Sequence, residues 1–310
     1  MLELYFFNVG HGDSIAIKFP NNEWGVVDCR RCDKQPIPNV LKFLKKENIE
    51  KLKFICISHP HLDHFDGMET IIDHFVNNID NFILYNNGQS CLFEKQTSSL
   101  TQAIKKFSTF KNKKFILACA QETYLVGDIE IKLLNPDHDI AAEFFKKSFS
   151  NKELNILNKE SIVMYFEYAG VKILLNADVP AEQCKKFQEH TKSDIIKISH
   201  HGSRHNNPQD LLVSLSNKEC ISIISSDGNK HFPTIPHTDV LNCLEQNLNS
   251  HILKTYELNK NSEDTVIPEL ETNDLIDALS EDMDEDSTDG YFKITIDSKG
   301  NISYEKIYNI

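Results

Sequence analysis

Ten residues, Ser58-His59-Pro60-His61-Leu62-Asp63-His64-Phe65-Asp66-Gly67, restrict this chain more than any other stretch. Three histidines and a carboxylate stand in the order His-x-His-x-Asp-His, directly behind the apolar run Phe54-Ile55-Cys56-Ile57. That run reads as a buried strand, so the polar side chains fall in a loop at a strand end, where irregular backbone can turn several toward one point. Neutral imidazoles and a carboxylate form a borderline ligand set that suits Zn²⁺ and also Mn²⁺ or Fe. Four donors so close together do not converge on one ion without strain. The spacing therefore predicts two divalent ions, Zn or Mn: His59 and His61 hold one, and Asp63 and His64 hold a neighbour roughly 3.5–4 Å away, as in two-metal hydrolases. A histidine-rich surface loop is the bland alternative, and it leaves the ordered spacing behind a strand unexplained.

At 310 residues the chain is long enough to bury a large core. Its start, Met1-Leu2-Glu3-Leu4-Tyr5-Phe6-Phe7, carries an acid and no basic leader region, and no apolar run approaches the roughly 18 residues of a membrane span. The expectation is a cytoplasmic protein with no membrane partner. Eight cysteines are scattered, mostly through apolar runs, as expected of reduced and packed thiols. Cys29 and Cys32 form the one Cys-x-x-Cys, without a second pair to make a zinc site of it. The net charge of −13 is concentrated: residues 261–290 hold twelve Asp or Glu and no Lys or Arg, so the remainder is near neutral. Bulk charge therefore does not exclude a polyanionic substrate.

Three further stretches extend the pattern: Asn8-Val9-Gly10-His11-Gly12-Asp13-Ser14, Val26-Val27-Asp28 and Ser199-His200-His201-Gly202-Ser203. With the histidine motif they resemble the metallo-β-lactamase superfamily. More narrowly, they resemble the soluble hydrolase domain of the DNA-uptake channel protein ComEC and its stand-alone relatives, over about Leu2 to Leu253. The resemblance implies an α/β fold, an αββα sandwich of two mixed β-sheets flanked by helices. Domain boundaries follow as 1–257 for the hydrolase, 258–290 for an acidic, mobile segment, and 291–310 for a terminal hairpin that rejoins a sheet. Within 258–290, Leu275, Ile276, Leu279 and Met283 form an apolar helical stripe suited to a protein partner.

The resemblance also implies roles for residues outside the first motif. Asp178, at the end of the strand Val171 to Asn176, takes the place of the family's bridging aspartate, with Ala177 where Gly is usual; helix capping is its other reading. One of His200 and His201 reaches the centre as a ligand or as proton donor to the departing oxygen. The sequence leaves open which, with His201 the first choice. Pro236-His237 matches the pair whose histidine completes the metal site, with capping of the helix Val240 to Leu248 as the alternative. Asp13 and Asp28 would orient ligands, while His11 stands where the family has Gln. His138 is left unassigned. The expected catalytic groups are Asp63, His200 and His201.

A dinuclear centre of this kind yields hydroxide at neutral pH and neutralises charge on a phosphorane-like transition state. Phosphodiester hydrolysis is thus the leading expectation, with nucleic acid as substrate through the ComEC resemblance. Two other classes compete: hydrolysis of an ester, thioester, lactone or phosphocholine group on the same fold, and a scaffold with a structural metal whose acidic segment recruits a protein partner.

Overall fold

Aliphatic and aromatic runs separated by Gly, Asn and Asp turns build two β-sheets. The computed structural model describes residues 1–32, 35–75, 77–85, 98–109, 114–140, 157–228, 234–258, 290–308 and 310. Strands β1 (Leu2–Phe7), β2 (Ser14–Lys18), β3 (Trp24–Cys29), β4 (Leu52–Ile57), β5 (Ile79–Tyr85) and β6 (Lys114–Ala118) belong to the first sheet. Strands β7 (Thr123–Val126), β8 (Ile129–Asn135), β9 (Val163–Tyr168), β10 (Val171–Leu175), β11 (Ser193–Lys197), β12 (Ser216–Ile224) and β13 (His251–Lys254) form the second. The chain then returns to the first sheet as β14 (Tyr291–Ile296) and β15 (Ile302–Ile307).

The first sheet runs β15-β14-β1-β2-β3-β4-β5-β6, antiparallel up to β3 and parallel beyond it. The second runs β13-β12-β11-β10-β9-β8-β7, parallel from β13 to β10 and antiparallel from β10 to β7. Both sheets are therefore mixed, as expected.

Alternation within the strands shows how the layers stack. Met164, Phe166, Ile173, Leu175 and Ile195 share one core cluster with the strands of the first sheet. Their neighbours Val163, Tyr165, Leu174 and Ile196 pack on the other face with Leu211, Leu212 and Leu215 of helix Gln209–Leu215 and with Val240 of helix Thr238–Asn242. On the first sheet, helix Asn39–Lys46 buries Val40, Phe43 and Leu44, and helix Met68–His74 buries Ile71 and Ile72. The αββα sandwich follows. Each fully buried aliphatic or aromatic side chain contributes about 1.5–3 kcal/mol.

The terminal hairpin is tied in by register and by aromatic packing. Residues of β14 pair with β1 from Leu2–Ile296 to Phe7–Tyr291, and the Tyr291 ring lies 5.2 Å from Phe43, 5.4 Å from Phe7 and 5.7 Å from Tyr5. Among the described residues no helix is long and apolar enough to cross a membrane.

Several elements differ from expectation. The histidine motif is not irregular throughout: Leu62–Phe65 forms one helical turn, with His61 at its N-cap position. After Asp178 the chain forms a short helix, Ala181–Cys184, followed by a separate 3₁₀ turn, Gln188–His190, with the Thr191 hydroxyl closing on the Phe187 carbonyl at 3.0 Å. Helix Gln209–Leu215 was signalled by Pro208 and by the spacing of Leu211, Leu212 and Leu215, but the apolar run into β12 masks that signal. The apolar stripe of Leu275, Ile276, Leu279 and Met283 within the acidic segment lies outside the described residues.

Candidate metal centre

β4 ends at Ile57 between two parallel neighbours, and its continuation carries the histidine motif to the sheet edge. The turn Gly10–Gly12 closes over it. A Cβ on Gly12 would stand 2.3 Å from the Asp63 carbonyl oxygen, so only glycine permits this approach, in which Asp13 N donates to Asp63 O at 3.1 Å. From the second sheet, the end of β10 supplies Asp178 and the end of β11 supplies His200 and His201.

Besides Asp13, Asp28 and His64 behind the motif, two groups of donor atoms result, each with all its atoms within 4.8 Å of one another: Asp63, His64, Asp178 and His201, and His59, His61 and Asp178. Asp178 belongs to both. The pairing of His59 with His61, and of Asp63 with His64, is the division that crowding in the motif suggested. Asp178 is essentially buried and carries no helix-capping bond; its Oδ2 lies 3.5 Å from His64 Nε2, 3.5 Å from His201 Nε2 and 3.9 Å from His59 Nε2.

Hydrogen bonds fix which ring nitrogen faces inward. His64 Nδ1 lies 2.7 Å from Asp28 Oδ2, and His201 Nδ1 lies 2.6 Å from the Ser225 carbonyl; both acceptors lack protons, so each Nδ1 donates. Ser58 gives its backbone N–H and its hydroxyl to the two Asp28 oxygens, each at 2.7 Å. The Ser58 oxygen is then an acceptor for His59 Nδ1 at 3.0 Å. In all three rings Nε2 is left pointing at carboxylates or at another ring nitrogen: His59 Nε2 meets His61 Nδ1 at 3.0 Å.

Lone pairs aimed at carboxylate oxygens repel unless a positive charge lies between them. His64 Nε2 and Asp178 Oδ1 are both buried without a hydrogen-bond partner. The donor set therefore fits divalent cations, with Nε2 of His59, His64 and His201, Nδ1 of His61, and the Asp63 and Asp178 carboxylates as the atoms that would hold them. The electrostatics agree. Burial opposes charge on His64 and His201, yet the Asp178 and Asp63 carboxylates hold both above the ordinary histidine range. Burial resists ionisation of Asp63 too, and His64 and His201 nonetheless draw it well below the carboxylate range. His59 moves the other way: burial, with His64 and His61 beside it, keeps its ring neutral.

The remaining expected residues are placed as follows. His200 is 31% exposed in its side chain, with Nε2 3.7 Å from Asp178 Oδ2. Its Nδ1 meets Asn206 Oδ1 at 3.1 Å, and since the Asn206 amide nitrogen donates to the Asp178 and Val179 carbonyls, that oxygen must accept. His201 is fully buried and makes the 3.2 Å contact to Asp63 Oδ2. His237 stands apart from both donor groups: it occupies the N-cap position of helix Thr238–Asn242, and its Nδ1 accepts the Arg204 backbone N–H at 3.3 Å. His138 faces Cys119, with Nδ1 3.3 Å from the sulfur. Cys29 and Cys32 are both buried.

Two residues go beyond the sequence reading. His11 packs its ring 4.1 Å from His201 and sets Nε2 3.6 Å from Asp63 Oδ2; burial and His201 depress its pKa to about 3. Lys197, fully buried, places its ammonium 2.5 Å from Asp13 Oδ2 and 3.7 Å from Asp178 Oδ1 and donates to the Ala177 carbonyl at 3.1 Å. The alternation of β11 put Lys197 on the same face as Ile195, between the sheets, which is the signal that could have found it.

Comparison with known proteins adds the following. No protein-family model matches the chain. ComE operon protein 3 of Bacillus subtilis (strain 168) is 19% identical over 210 residues, covering 67% of this chain and 24% of that protein, so the chain spans only part of this relative. Among solved structures, the CmlA beta-hydroxylase E377D mutant superposes with a TM-score of 0.50 at 14% identity, over 81% of this chain and 52% of that one. The metallo-beta-lactamase fold protein YhfI from Bacillus subtilis gives 0.48 at 12% identity, over 82% and 96%.

Proposed function

Starting from a chain that has the metallo-β-lactamase fold and is distantly homologous to ComE operon protein 3, we propose that it is a metal-dependent hydrolase acting on phosphodiesters, with nucleic acid as the substrate class. The observation that carries this reading is the pair of donor groups sharing Asp178. Divalent cations held by such a pair supply water activation near neutral pH and neutralise charge that builds on phosphoryl oxygens. The protein's own residues do the rest. Asp28 and the Ser225 carbonyl lock His64 and His201 with Nε2 inward. Asp63, one-quarter exposed, lines the open side with His11. His200, held at Nδ1 by Asn206, offers Nε2 at a reachable edge of the centre, where a proton can pass to the departing oxygen.

The test is a panel of plasmid DNA, RNA and bis-p-nitrophenyl phosphate with added Mn²⁺ or Zn²⁺, alongside metal analysis of protein purified without chelator. Metal-dependent cleavage of a phosphodiester is the expected result. Turnover of p-nitrophenyl acetate or lactones alone would move the protein to the ester-hydrolase class, and bound metal with no turnover of any kind would make the centre structural.

A further inference from the structure

Of the lysines and arginines among the described residues, Lys197 alone is fully enclosed. An ammonium usually reaches water at the end of its apolar stem, so one held inside must be neutralised where it stands. Its Nζ lies 2.5 Å from Asp13 Oδ2 and 3.7 Å from Asp178 Oδ1, and donates to the Ala177 carbonyl at 3.1 Å. Three oxygens thus face the three N–H bonds of the ammonium. Both carboxylates are themselves buried.

Asp178 is divided between two kinds of neighbour. Its Oδ2 meets Nε2 of His64 and His201 at 3.5 Å, of His200 at 3.7 Å and of His59 at 3.9 Å, while Oδ1 turns to Lys197. Asp13 is shared in the same way: its Oδ2 contacts Lys197 and also lies 3.7 Å from His64 Nδ1. Asp13, Asp28 and Asp178 therefore crowd three buried carboxylates around His64. Carboxylates so close, and out of water, repel one another unless cations stand among them. A divalent ion can meet that need from the Oδ2 side, and a chelator can take it away. The ammonium meets it from the Oδ1 side and is fixed to the chain.

We infer that Lys197 is a resident cation of the centre: it neutralises Asp13 and Asp178 whether or not divalent ions are bound, so that the donor set is folded and aimed before any ion arrives. Where no such cation exists, metal binding and folding are one event; here Lys197 separates them. It does so at the expense of affinity, because its positive charge repels the ions that share Asp178. Lys197 is a positioning residue, acting through Asp178. The inference rests on the metal reading of the centre and is independent of which ester the centre cleaves.

Two measurements on the full chain test this without chemistry: urea unfolding followed by circular dichroism, in EDTA and in excess Zn²⁺, and Zn²⁺ affinity by chelator competition. Wild type is expected to unfold cooperatively in EDTA. In Lys197→Met the EDTA midpoint is expected to fall much further than the Zn²⁺ midpoint, since the ions then do the neutralising. Folded Lys197→Met is expected to bind Zn²⁺ about tenfold more tightly, one positive charge having been withdrawn. A lysine that merely braced Asp178 gives the opposite sign, a looser carboxylate and weaker binding. The paired variant Lys197→Met with Asp13→Asn removes the ammonium together with its nearest anion, so it folds in EDTA even if the single variant does not; it is expected to bind Zn²⁺ at least as tightly as wild type. An equal fall of the midpoint with and without Zn²⁺, or weaker binding by the paired variant, would overturn the resident cation. Wild type that takes up no divalent ion in the same titration would instead sink the metal reading itself.

Discussion

Residues 59–64 and residues 177–202 bring donors to the same cluster from different backbones. In the first region the chain is relaxed: His61 sits at φ −94°, ψ 142°, and Asp63 and His64 are set by one helical turn. In the second, Ala177, His200 and His201 adopt φ of 46°, 46° and 54°, followed by Gly202 at 88°. Left-handed backbone at a non-glycine residue costs on the order of 1–3 kcal/mol, and it persists only where surroundings over-determine it. Here the surroundings are visible: His200 N donates to Ala177 O at 3.1 Å, Ser203 N to His200 O at 2.9 Å, and His201 Nδ1 to Ser225 O.

The charges behind the donors differ as well. A carboxylate, Asp28, backs the imidazole of His64, whereas an ammonium, Lys197, backs the carboxylate of Asp178. Consecutive donors can be presented by ordinary backbone. Those of the second region are held by a left-handed turn and a buried counter-charge.

Breaking the shared residue should have the largest effect. In Asp178→Ala both donor groups lose a member, and metal content by mass spectrometry is expected to fall to background together with all turnover; two ions retained per chain would mean that the regions do not meet at Asp178. Next comes Lys197→Met, which leaves Asp13 buried without its ammonium. Urea unfolding is expected to show a loss of about 3–5 kcal/mol, and a loss below about 1 kcal/mol would show that the second region does not depend on its counter-charge.

On the first region, Asp28→Asn keeps an acceptor of the same shape and removes the charge behind His64. Chelator competition is expected to show metal affinity weakened about 10–100-fold, with the unfolding midpoint moving far less than in Lys197→Met. The finest test is Ala177→Gly. It relieves a left-handed alanine, worth about 1–2 kcal/mol, against a cost of about 0.4–1 kcal/mol from the freer unfolded chain. A net gain of about 0–1.6 kcal/mol is expected, and a net loss would show that the turn does not strain Ala177. The reverse change, Gly202→Ala, puts a Cβ 2.7 Å from Pro236 Cβ and should destabilise.

The first region was legible from residues alone, because all of its donors fall within one turn behind one apolar strand. Asp178 and His201 were legible only through resemblance to a family, since neither carries a local pattern that separates a ligand from a cap. Ala177, directly before that aspartate, has a positive φ, a conformation that glycine adopts without strain. Lys197 ends an alternating strand, but charge on a strand ordinarily faces water, and its partner Asp13 lies far off in the chain, in the turn before β2. The Ser225 carbonyl that fixes the His201 tautomer belongs to the main chain and leaves no trace in the choice of side chain. His237 has the expected dipeptide and a helix behind it, and in the structure it stands at that helix's N-cap position with Nδ1 accepting the Arg204 N–H.

Strand β14 begins where 3₁₀ residues Thr255–Leu258 end: a Cβ on Gly290 would lie 2.9 Å from Leu258 Cβ, and Gly290 O accepts the Asn8 N–H at 2.8 Å. Whatever departs at Leu258 comes back beside its point of departure. A connection with fused ends is nearly indifferent to length, each doubling costing only about 0.6 kcal/mol in closure entropy. That junction is therefore a natural graft point, where sequence can be inserted, trimmed or exchanged while every rung of both sheets stays paired.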